Sequence, residues 1–367
     1  MINQKLMMIS GGESPLSEFG LWECGYNFHG QLGLGDISSR SSPVQVGVLN
    51  DWNQIEGGYQ FTISSKTDGT LWSWGWNNFG QLAKGNLTDY SSPVQIGALT
   101  NWNKLACGYQ SVAAVKTDGT LWTWGQNAYG QLGLGDRTHR SSPVQVGLSM
   151  TWDQIENGDQ GSLAIKTNGT LWSWGQNADG QLGLGDIVHR SSPVQVGLLT
   201  TWSNVDGGYY MTAAIKTDGT LWTWGGNMFG ELGLGDTAKR SSPVQVGVLT
   251  NWNKVNCGSN HIAAVKTDGT LWTWGYNGSG ELGQGDKIKR SSPVQVGNLT
   301  NWDQINNGTG YMMSIKTDGT LWGWGANSHG QIGMGSFAVQ LSPVQVGALS
   351  NWVEVNCGGN HTISTFD

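Results

Sequence analysis

The sequence predicts an all-β fold, a seven-bladed β-propeller with four antiparallel strands in each blade. A stretch with the pattern KTDGTLW-x-WG, seen at residues 116–125, returns every fifty residues almost unchanged, and such a period indicates a repeat architecture. Each copy has an Asp-Gly pair between two runs of strand-forming residues, which is typical of a β-hairpin. The chain has 58 glycines and 21 tryptophans, whereas charged residues make up only 12%. This composition favours many tight turns around an aromatic interior.

Four strands are predicted in a reference unit, which we take as residues 52–97. We place strand A at residues 52–56, strand B at 61–66, strand C at 70–74 and strand D at 93–96. Between strands B and C, we expect Asp68 and Gly69 to form a two-residue turn with positive φ at both positions. Strand C carries Trp72 and Trp74 on one face, and we expect both faces to be buried.

The seventh blade is predicted to combine the two ends of the chain. Six complete units are blades 52–97, 102–147, 152–197, 202–247, 252–297 and 302–347. Residues 352–367 supply only strands A and B, and residues 17–47 supply only strands C and D. We predict that these halves pair, which closes the ring and protects both sheet edges. Residues 17–367 are thus expected to form a single propeller, and residues 1–16 a loose overhang or decayed half-repeat.

Charge and hydropathy exclude several classes of partner. The net charge is -7 and no basic stripe is present, so we expect no binding to nucleic acid. No segment is long and apolar enough to span a membrane, and the N-terminal apolar run is too short for a signal peptide. We therefore expect a soluble monomer that does not bind membranes and is cytoplasmic by default.

Cysteine and histidine positions give no support for a disulfide framework or a metal site. Cys107, Cys257 and Cys357 share one repeat position in units that are not neighbours, and Cys24 replaces a Trp. We expect free, packed thiols. The six histidines lie in different blades without metal-ligand spacing. The sequence leaves open a metal or catalytic role for His29, His329 and His361 at the seam, and a carboxylate pair in the central channel, but we predict no metal, cofactor or catalytic residue.

Two motifs connect the repeats to a known family. The pattern Asn-x-x-Gly-Gln-Leu-Gly-x-Gly-Asp at residues 127–136 is followed by Ser-Pro-Val and then by Cys-Gly-x-x-His, as at 257–261 and 357–361. Over residues 17–367 this resembles the regulator of chromosome condensation repeat, which implies a seven-bladed propeller. The resemblance implies no single function, because members include a nucleotide exchange factor for a small nuclear GTPase, a plant ultraviolet-B photoreceptor and a bacterial β-lactamase inhibitor.

Two activities of that family find no support in these residues. The Gly-Trp-Arg-His-Thr motif of the photoreceptor is missing at the A–B position, where this chain has Tyr59, Tyr109 or Asp159. No insertion is available for a wedge that would enter a GTPase. We therefore expect neither light sensing nor nucleotide exchange.

The repeats differ from each other mainly between strands A and B and just after strand C. Because strands alternate in direction, both connections should leave the same face, whereas the Asp-Gly turns and the links to the next blade should share the other. Variable positions rich in aromatic residues favour contact with a partner, although loops also drift where little constrains them. The predicted partner-binding positions are Phe28, His29, Tyr59, Phe61, Trp76, Phe79, Tyr90, Tyr109, Tyr129, Tyr209, Tyr210, Phe229, His261, Tyr276, Tyr311, His329 and His361.

An Asp and an Arg four residues apart recur in five units, as Asp36 with Arg40. Both are lost together at Asn86 with Tyr90 and at Ser336 with Gln340. The joint loss predicts an ion pair that stabilises the loop. The two exceptional units flank the closing blade, so we expect a partner to bind near the seam.

These observations predict a non-enzymatic recognition scaffold that binds a protein through the variable face. The alternative is a propeller that binds carbohydrate or small ligands in pockets between blades. Such a protein would repeat a similar pocket in many blades, whereas no single aromatic set recurs around this ring.

Overall fold

A computed structural model describes residues 19–367 and contains seven four-stranded antiparallel sheets arranged as the blades of a propeller. Six sheets use strands in chain order, A to D, and the seventh combines the two ends of the chain. The predicted all-β, seven-bladed fold is therefore confirmed. We number blades 1 to 6 from residue 52 and call the seventh the closing blade. The predicted overhang over residues 1–16 lies outside the described residues.

Each type of strand occupies the same place in every blade. The A strands are β3 (Trp52–Gly57), β7 (Trp102–Cys107), β11 (Trp152–Asn157), β15 (Trp202–Gly207), β19 (Trp252–Cys257), β23 (Trp302–Asn307) and β27 (Trp352–Cys357). The B strands are β4 (Phe61–Lys66), β8 (Ser111–Lys116), β12 (Gly161–Lys166), β16 (Met211–Lys216), β20 (His261–Lys266), β24 (Tyr311–Lys316) and β28 (His361–Phe366). The C strands are β1 (Gly20–Gly25), β5 (Leu71–Gly75), β9 (Leu121–Gly125), β13 (Leu171–Gly175), β17 (Leu221–Gly225), β21 (Leu271–Gly275) and β25 (Leu321–Gly325). The D strands are β2 (Arg40–Gln45), β6 (Tyr90–Gln95), β10 (Arg140–Gln145), β14 (Arg190–Gln195), β18 (Arg240–Gln245), β22 (Arg290–Gln295) and β26 (Gln340–Gln345).

The closing blade has the strand order β2-β1-β28-β27. Its central pair runs antiparallel from Gly20 opposite Phe366 to Gly25 opposite His361. The predicted pairing of the chain ends is therefore confirmed. Both β1 and β28 therefore have a hydrogen-bonded strand on each side, and neither leaves an unpaired edge.

The turn between strands B and C differs from the prediction. The Gly69 N–H donates to the Lys66 carbonyl at 2.9 Å, and the Lys66 N–H donates to the Thr70 carbonyl at 2.9 Å. The loop thus has three residues, 67–69, and only Gly69 has a positive φ, of 79°. The Asp68 carboxylate accepts a hydrogen bond from the Thr70 N–H at 2.9 Å. This is the hairpin in which a type I turn is followed by a left-handed glycine.

Strand D is longer at its start than predicted. In blade 1 it begins at Tyr90 rather than at Pro93 and ends at Gln95. Its register with strand C shifts between Gly75 opposite Tyr90 and Ser73 opposite Val94. Proline lacks a donor, and a strand at the outer edge of a blade tolerates this loss.

The core lies between neighbouring blades and is built from tryptophans. Trp124 is fully buried, and its Nε1–H donates to the Gln81 carbonyl of the preceding blade at 2.9 Å. The Trp102 ring contacts the Trp122 and Trp124 rings edge-on, with centroids 6.3 and 5.9 Å apart. Lys116 Nζ lies 3.8 Å from the Trp122 centroid, which is a cation–π geometry. Tryptophan packing between blades thus forms the aromatic interior that the composition predicts.

The cysteines are free thiols, as predicted. Cys24, Cys257 and Cys357 are buried, and Cys107 is half-buried. The Cys257 and Cys357 thiols each donate to a carbonyl of the preceding blade at 3.5 Å. Within residues 19–367, no helix is long and apolar enough to cross a membrane.

Candidate functional site

The A–B and C–D loops lie on the same face of the ring. In every blade, the first residue after strand C donates its N–H to the last residue of the A–B loop, as Trp76 does to the Gln60 carbonyl at 2.9 Å. The Asp-Gly turns lie with the D–A links instead, because the Thr67 N–H donates to the Asp51 carbonyl at 2.8 Å. We call the first surface the variable face; it comprises residues 58–60 and 26–29 and their counterparts in the other blades.

Five predicted partner-binding residues do not lie on this surface, and four of them are buried. Phe61, His261, Tyr311 and His361 are at most 1% exposed. Each is the first residue of a B strand rather than a loop residue. Their side chains point between blades, so the prediction that they contact a partner is wrong.

Contacts between blades explain why these four residues are polar or aromatic and yet buried. The Tyr311 hydroxyl donates to the His361 carbonyl of the next blade at 2.5 Å. His361 Nε2 lies 3.1 Å from the Thr62 hydroxyl of blade 1. Burial lowers the pKa of His361 to about 3 and that of His261 to about 4. Both imidazoles are therefore neutral at physiological pH.

Tyr90 lies outside the variable face, at the start of an outer D strand. Its hydroxyl accepts a hydrogen bond from Asn86 Nδ2 at 3.0 Å. In five other blades the same two positions hold the predicted ion pair, with the Arg and Asp atoms 2.5 to 2.7 Å apart. Tyr90 thus replaces the ion pair by another contact within the same loop, and its structural role is internal.

Among residues 26–29 and their counterparts only the Asn is invariant, and it holds the C–D loop in place. Asn27 is fully buried; its Oδ1 accepts from the Leu32 N–H at 2.9 Å, and its Nδ2 donates to the Asp36 carbonyl at 3.1 Å. Equivalent bonds form in the other six blades. The variable side chains before and after this Asn are therefore carried on a rigid loop.

The variable face has a continuous row of aromatic rings across the seam. Six consecutive ring pairs have centroids 4.8 to 6.3 Å apart. The row runs from blade 6 across the closing blade and blade 1 to blade 2. We call it the aromatic arc; its members, in order, are His329, Tyr26, Phe28, His29, Trp76, Phe79 and His139.

The other predicted aromatic residues form separate groups. Tyr59 stacks on Tyr109 with centroids 4.0 Å apart, and Tyr209 contacts Tyr210 at 4.0 Å. Farther around the ring are the Phe229–Tyr276 pair at 4.8 Å and the contact of Tyr129 with His189 at 5.3 Å. These groups are shorter than the aromatic arc, so the face is asymmetric.

Sequence reasoning missed contacts between residues sixty positions apart. His29 Nδ1 lies 2.8 Å from Asp89 Oδ2, and Phe79 contacts His139 at 5.1 Å. At the corresponding positions, Lys239 pairs with Asp179. The residue types at these two positions change together from blade to blade. A comparison of each variable C–D residue with the residue sixty positions later reveals the pairing.

A cavity of about 380 Å³ lies at the centre of the ring, lined by A strands and A–B loops. Five acidic side chains belong to this lining: Glu56, Asp159, Glu156, Asp206 and Glu354. The carboxylate pair in the central channel, which the sequence did not exclude, is therefore present as part of a group of five acidic side chains.

Burial dominates the electrostatics of this cavity. It raises the pKa of Glu354 to about 8 and those of Asp159 and Asp206 to about 7. Burial, followed by repulsion from neighbouring carboxylates, also raises the pKa of Glu56 and Glu156. The carboxyl groups of this cavity are therefore harder to ionise than carboxyl groups in water.

The three histidines of the seam have separate environments. His29 pairs with Asp89, His329 packs against Tyr26 at 4.8 Å, and His361 is buried beside Thr62. Across residues 19–367, no group of three or more His, Cys, Asp or Glu side chains has a geometry suited to a metal ion. A metal or catalytic cluster of these histidines does not form.

Comparison with protein families gives a match over nearly the whole chain. The model of the regulator of chromosome condensation (RCC1) repeat matches residues 20–64, 68–115, 118–165, 168–215, 218–265, 268–315 and 318–364. A second model of the same repeat matches residues 52–81, 102–131, 153–181 and 252–281. No curated protein sequence matches this chain significantly.

Solved structures share the fold at low sequence identity. Human WBSCR16 has a TM-score of 0.85 and 22% identity, with 95% of this chain and 99% of that chain covered. Prp20p from Saccharomyces cerevisiae, described with its binding properties to Gsp1p and histones, has a TM-score of 0.85 and 20% identity over 96% of this chain and 92% of its own. Yeast RCC1 (Prp20), solved with Kap60 bound, has a TM-score of 0.85 and 19% identity over 100% and 96%.

Proposed function

The chain belongs to the regulator of chromosome condensation (RCC1) repeat family, and we propose that it is a non-enzymatic recognition scaffold that binds a protein partner through the variable face. The observation that carries the proposal is the aromatic arc, in which the Phe28 side chain is 62% exposed and neighbouring rings remain half-buried. Clusters of aromatic residues are enriched among the residues that dominate binding energy at protein interfaces.

The hydrogen bonds that hold the loops of the aromatic arc favour a binding surface over loops whose sequences have changed without constraint. The buried Asn27 and its equivalents hold each loop, and the C–D loops are bonded to the A–B loops. A surface that is rigid before binding loses little conformational entropy on association. Exposed aromatic side chains on rigid loops are therefore suited to tight binding.

A relative of the same fold binds proteins. Prp20p was described with binding to Gsp1p and histones, and yeast RCC1 (Prp20) was solved with Kap60 bound. Because identity to these chains is 20% and 19%, the precedent concerns the use of the propeller as a protein-binding surface. It does not name the partner of this chain.

The test is capture of a partner by wild-type and variant chains. We expect a partner captured from a lysate of the source cells by the wild-type chain to be lost with Trp76→Ala/Phe79→Ala. With the purified partner, the two truncations should weaken affinity by about tenfold or more, because each removes a central aromatic contact.

The matched control is Leu148→Ala/Leu198→Ala. These leucines are 92% and 91% exposed in the D–A links of the opposite face, so the variant also removes two apolar side chains. It should bind the partner as the wild type does. Equal capture by the wild type and the aromatic variant would contradict the proposal, provided that both melt at the same temperature.

A further inference from the structure

The central cavity lies in the middle of the proposed binding face. Its rim is formed by A–B loops that bond to one another around the ring. The Tyr59 N–H donates to the Tyr109 carbonyl, and the Tyr109 N–H to the Asp159 carbonyl, both at 3.2 Å. At about 380 Å³ the cavity falls within the range of small-ligand pockets, which begins at about 300 Å³.

The acidic side chains of the cavity have no oppositely charged partner among the described residues. Within the described residues, Glu56, Glu156 and Glu354 take part in no ion pair, and neither do the aspartates at 159 and 206. The nearby lysines are already paired: Lys104 Nζ lies 3.0 Å from Asp153, and Lys254 Nζ lies 2.6 Å from Asp303. A cation from outside the chain would therefore be attracted.

One half of the cavity wall is closed by hydrogen bonds between blades. In this half, the side chain of the fifth residue of strand A, the position of Glu56, accepts a hydrogen bond from the next blade at 2.7 to 2.9 Å. The donor is the main-chain N–H of the sixth residue of that blade's strand A, as when Gly57 donates to Asn356. The acceptors in this half are Asp206, Asn256, Asn306 and Asn356.

The other half of the wall lacks these bonds. There Glu56 of blade 1 and Glu156 of blade 3 line the cavity, whereas Ala106, at the same position of blade 2, is buried and has no polar side chain. Among residues 19–367, Glu56 accepts one side-chain hydrogen bond, from Asn356 Nδ2 at 3.1 Å, and Glu156 accepts none.

Two further features of the cavity near Glu56 and Glu156 suit a cationic donor. Asn157 lines the cavity, is only 8% exposed, and has an Oδ1 without a hydrogen-bond partner, while its Nδ2 donates to the Ala106 carbonyl at 3.2 Å. The stacked rings of Tyr59 and Tyr109 lie on the rim of the same blades. Aromatic faces attract ammonium and guanidinium groups.

The chemistry favours an organic cation over a metal ion. In the part of the chain that the structure describes, no three acidic, His or Cys side chains are close enough to share one metal ion. An alkylammonium or guanidinium group on a long stem, by contrast, donates several hydrogen bonds to separated acceptors.

We propose that the partner inserts a lysine or arginine side chain into the central cavity, where Glu56 and Glu156 bind its charged group. This inference rests on the proposed function, because it requires a protein docked on the variable face. It specifies the partner as one that presents a protruding basic residue.

The test uses N-acetyl-lysine methylamide and N-acetyl-arginine methylamide as probes, titrated by NMR against the whole chain. We expect saturable binding of at least one probe, with shifts confined to residues of the cavity. The uncharged analogues N-acetyl-norleucine methylamide and N-acetyl-citrulline methylamide should not bind. Glu56→Gln/Glu156→Gln should weaken probe binding by about tenfold or more.

The matched control is Glu281→Gln, which removes one carboxylate outside the cavity. Five other blades have Gln at this position, so the change is compatible with the fold, and probe binding should not change. The cavity variant replaces two buried carboxyl groups, which are costly to ionise, by neutral amides of the same shape, so it should fold and melt no lower than the wild type. Equal probe binding by the cavity variant and the wild type, or no binding to the wild type, would overturn the proposal.

Two further arms separate the alternatives. Cadaverine carries the same ammonium group without a peptide backbone. Binding of cadaverine but of neither amino-acid probe would overturn the proposal in favour of a free amine.

The variant Trp76→Ala/Phe79→Ala leaves the cavity intact and should bind the probes normally. Lost capture by this variant, together with failure of the probes to bind the wild type, would reject the cavity proposal and retain the proposed function.

Discussion

At the scale of single residues, the glycine before each B strand explains the buried aromatic and histidine side chains. A Cβ on Gly58 would lie 1.9 Å from the Phe61 ring, and one on Gly258 would lie 2.2 Å from the His261 ring. The glycine leaves the space that the side chain three positions later fills. The Cys-Gly-x-x-His motif therefore describes packing between blades in this chain.

Ala83 provides a prediction at this scale. It has a φ of 57°, the only positive φ of a non-glycine residue in the described chain, and the other blades have Gly at this position. A left-handed conformation costs an L-residue about 1 to 2 kcal/mol. We expect Ala83→Gly to raise the free energy of unfolding by about 1 kcal/mol, measured by chemical denaturation.

The reverse change is the matched control. At Gly133, φ is 69° and a Cβ would lie 2.8 Å from Trp174 Nε1. Gly133→Ala should therefore lower stability by about 1 kcal/mol or more, because steric contact adds to the backbone strain. A loss of stability in Ala83→Gly would contradict the interpretation.

At the scale of the blade, side chains of one A strand contact the A strand of the next blade, and the contacting residue types depend on which blade follows. Lys occurs at the third position of strand A only where the next blade has Asp at its second position, as in the Lys104–Asp153 and Lys254–Asp303 pairs. In three other blades a Gln at this position donates to the main chain, as Gln154 does to the Ser203 carbonyl at 2.9 Å. Such matching distinguishes the correct neighbour among nearly identical repeats.

A double-mutant cycle on Lys104→Gln and Asp153→Asn tests this matching. Both groups are partly exposed, so we expect a coupling free energy of about 0.2 to 1 kcal/mol that declines with added salt. Lys104→Gln combined with Asp303→Asn joins residues of different pairs and serves as the control, with additive effects. A coupling of zero in the first cycle at low salt would show that the pair contributes nothing.

At the scale of the whole molecule, the ring places uncompensated acidic groups at its centre and neutral histidines between its blades. In the folded chain the carboxyl pKa values rise to about 7 for Asp159 and Asp206 and to about 8 for Glu354, whereas burial lowers the pKa of His261 and His361 to about 4 and 3. The two sets oppose each other, because stability depends on the difference in bound protons between the folded and unfolded states.

We therefore expect stability to fall as the pH rises from about 5 to 8, because the carboxyl groups with raised pKa outnumber the two histidines with lowered pKa. Over this range the folded state retains carboxyl protons that the unfolded state, with carboxyl pKa values of about 4, has lost, so the free energy of unfolding falls, on the order of 1 kcal/mol or more. Below about pH 6.5, the unfolded histidines bind protons that the buried ones do not, which opposes the carboxyl groups and makes the decline shallower there. Thermal melts between pH 5 and 9 measure this profile.

Glu56→Gln/Glu156→Gln should flatten this decline, because it removes two of the carboxyl groups with raised pKa. Burial also raises the pKa of Glu281, so Glu281→Gln, which removes one such group outside the cavity, is the control and should preserve more of the slope. An alkaline slope as steep in the cavity variant as in the wild type would show that other groups cause it.

The sequence by itself determined the propeller, the number of blades and the pairing of the chain ends, because a strict repeat transmits every local signal seven times. It also predicted the Asp36–Arg40 pair, since joint loss in other blades reveals contact. Local turn chemistry was less certain: the Asp68 carboxylate bonds Thr70 and makes the loop three residues long, which the Asp-Gly pair alone does not show.

Only the tertiary structure decided which variable residues are exposed. Phe61 and His361 directly follow the variable A–B loops, but the first residue of strand B points between blades, and only the assembled ring shows this. The same is true of the aromatic arc and the acidic cavity, whose members come from different blades. Their proximity and burial arise from the closure of the ring, which no single repeat specifies.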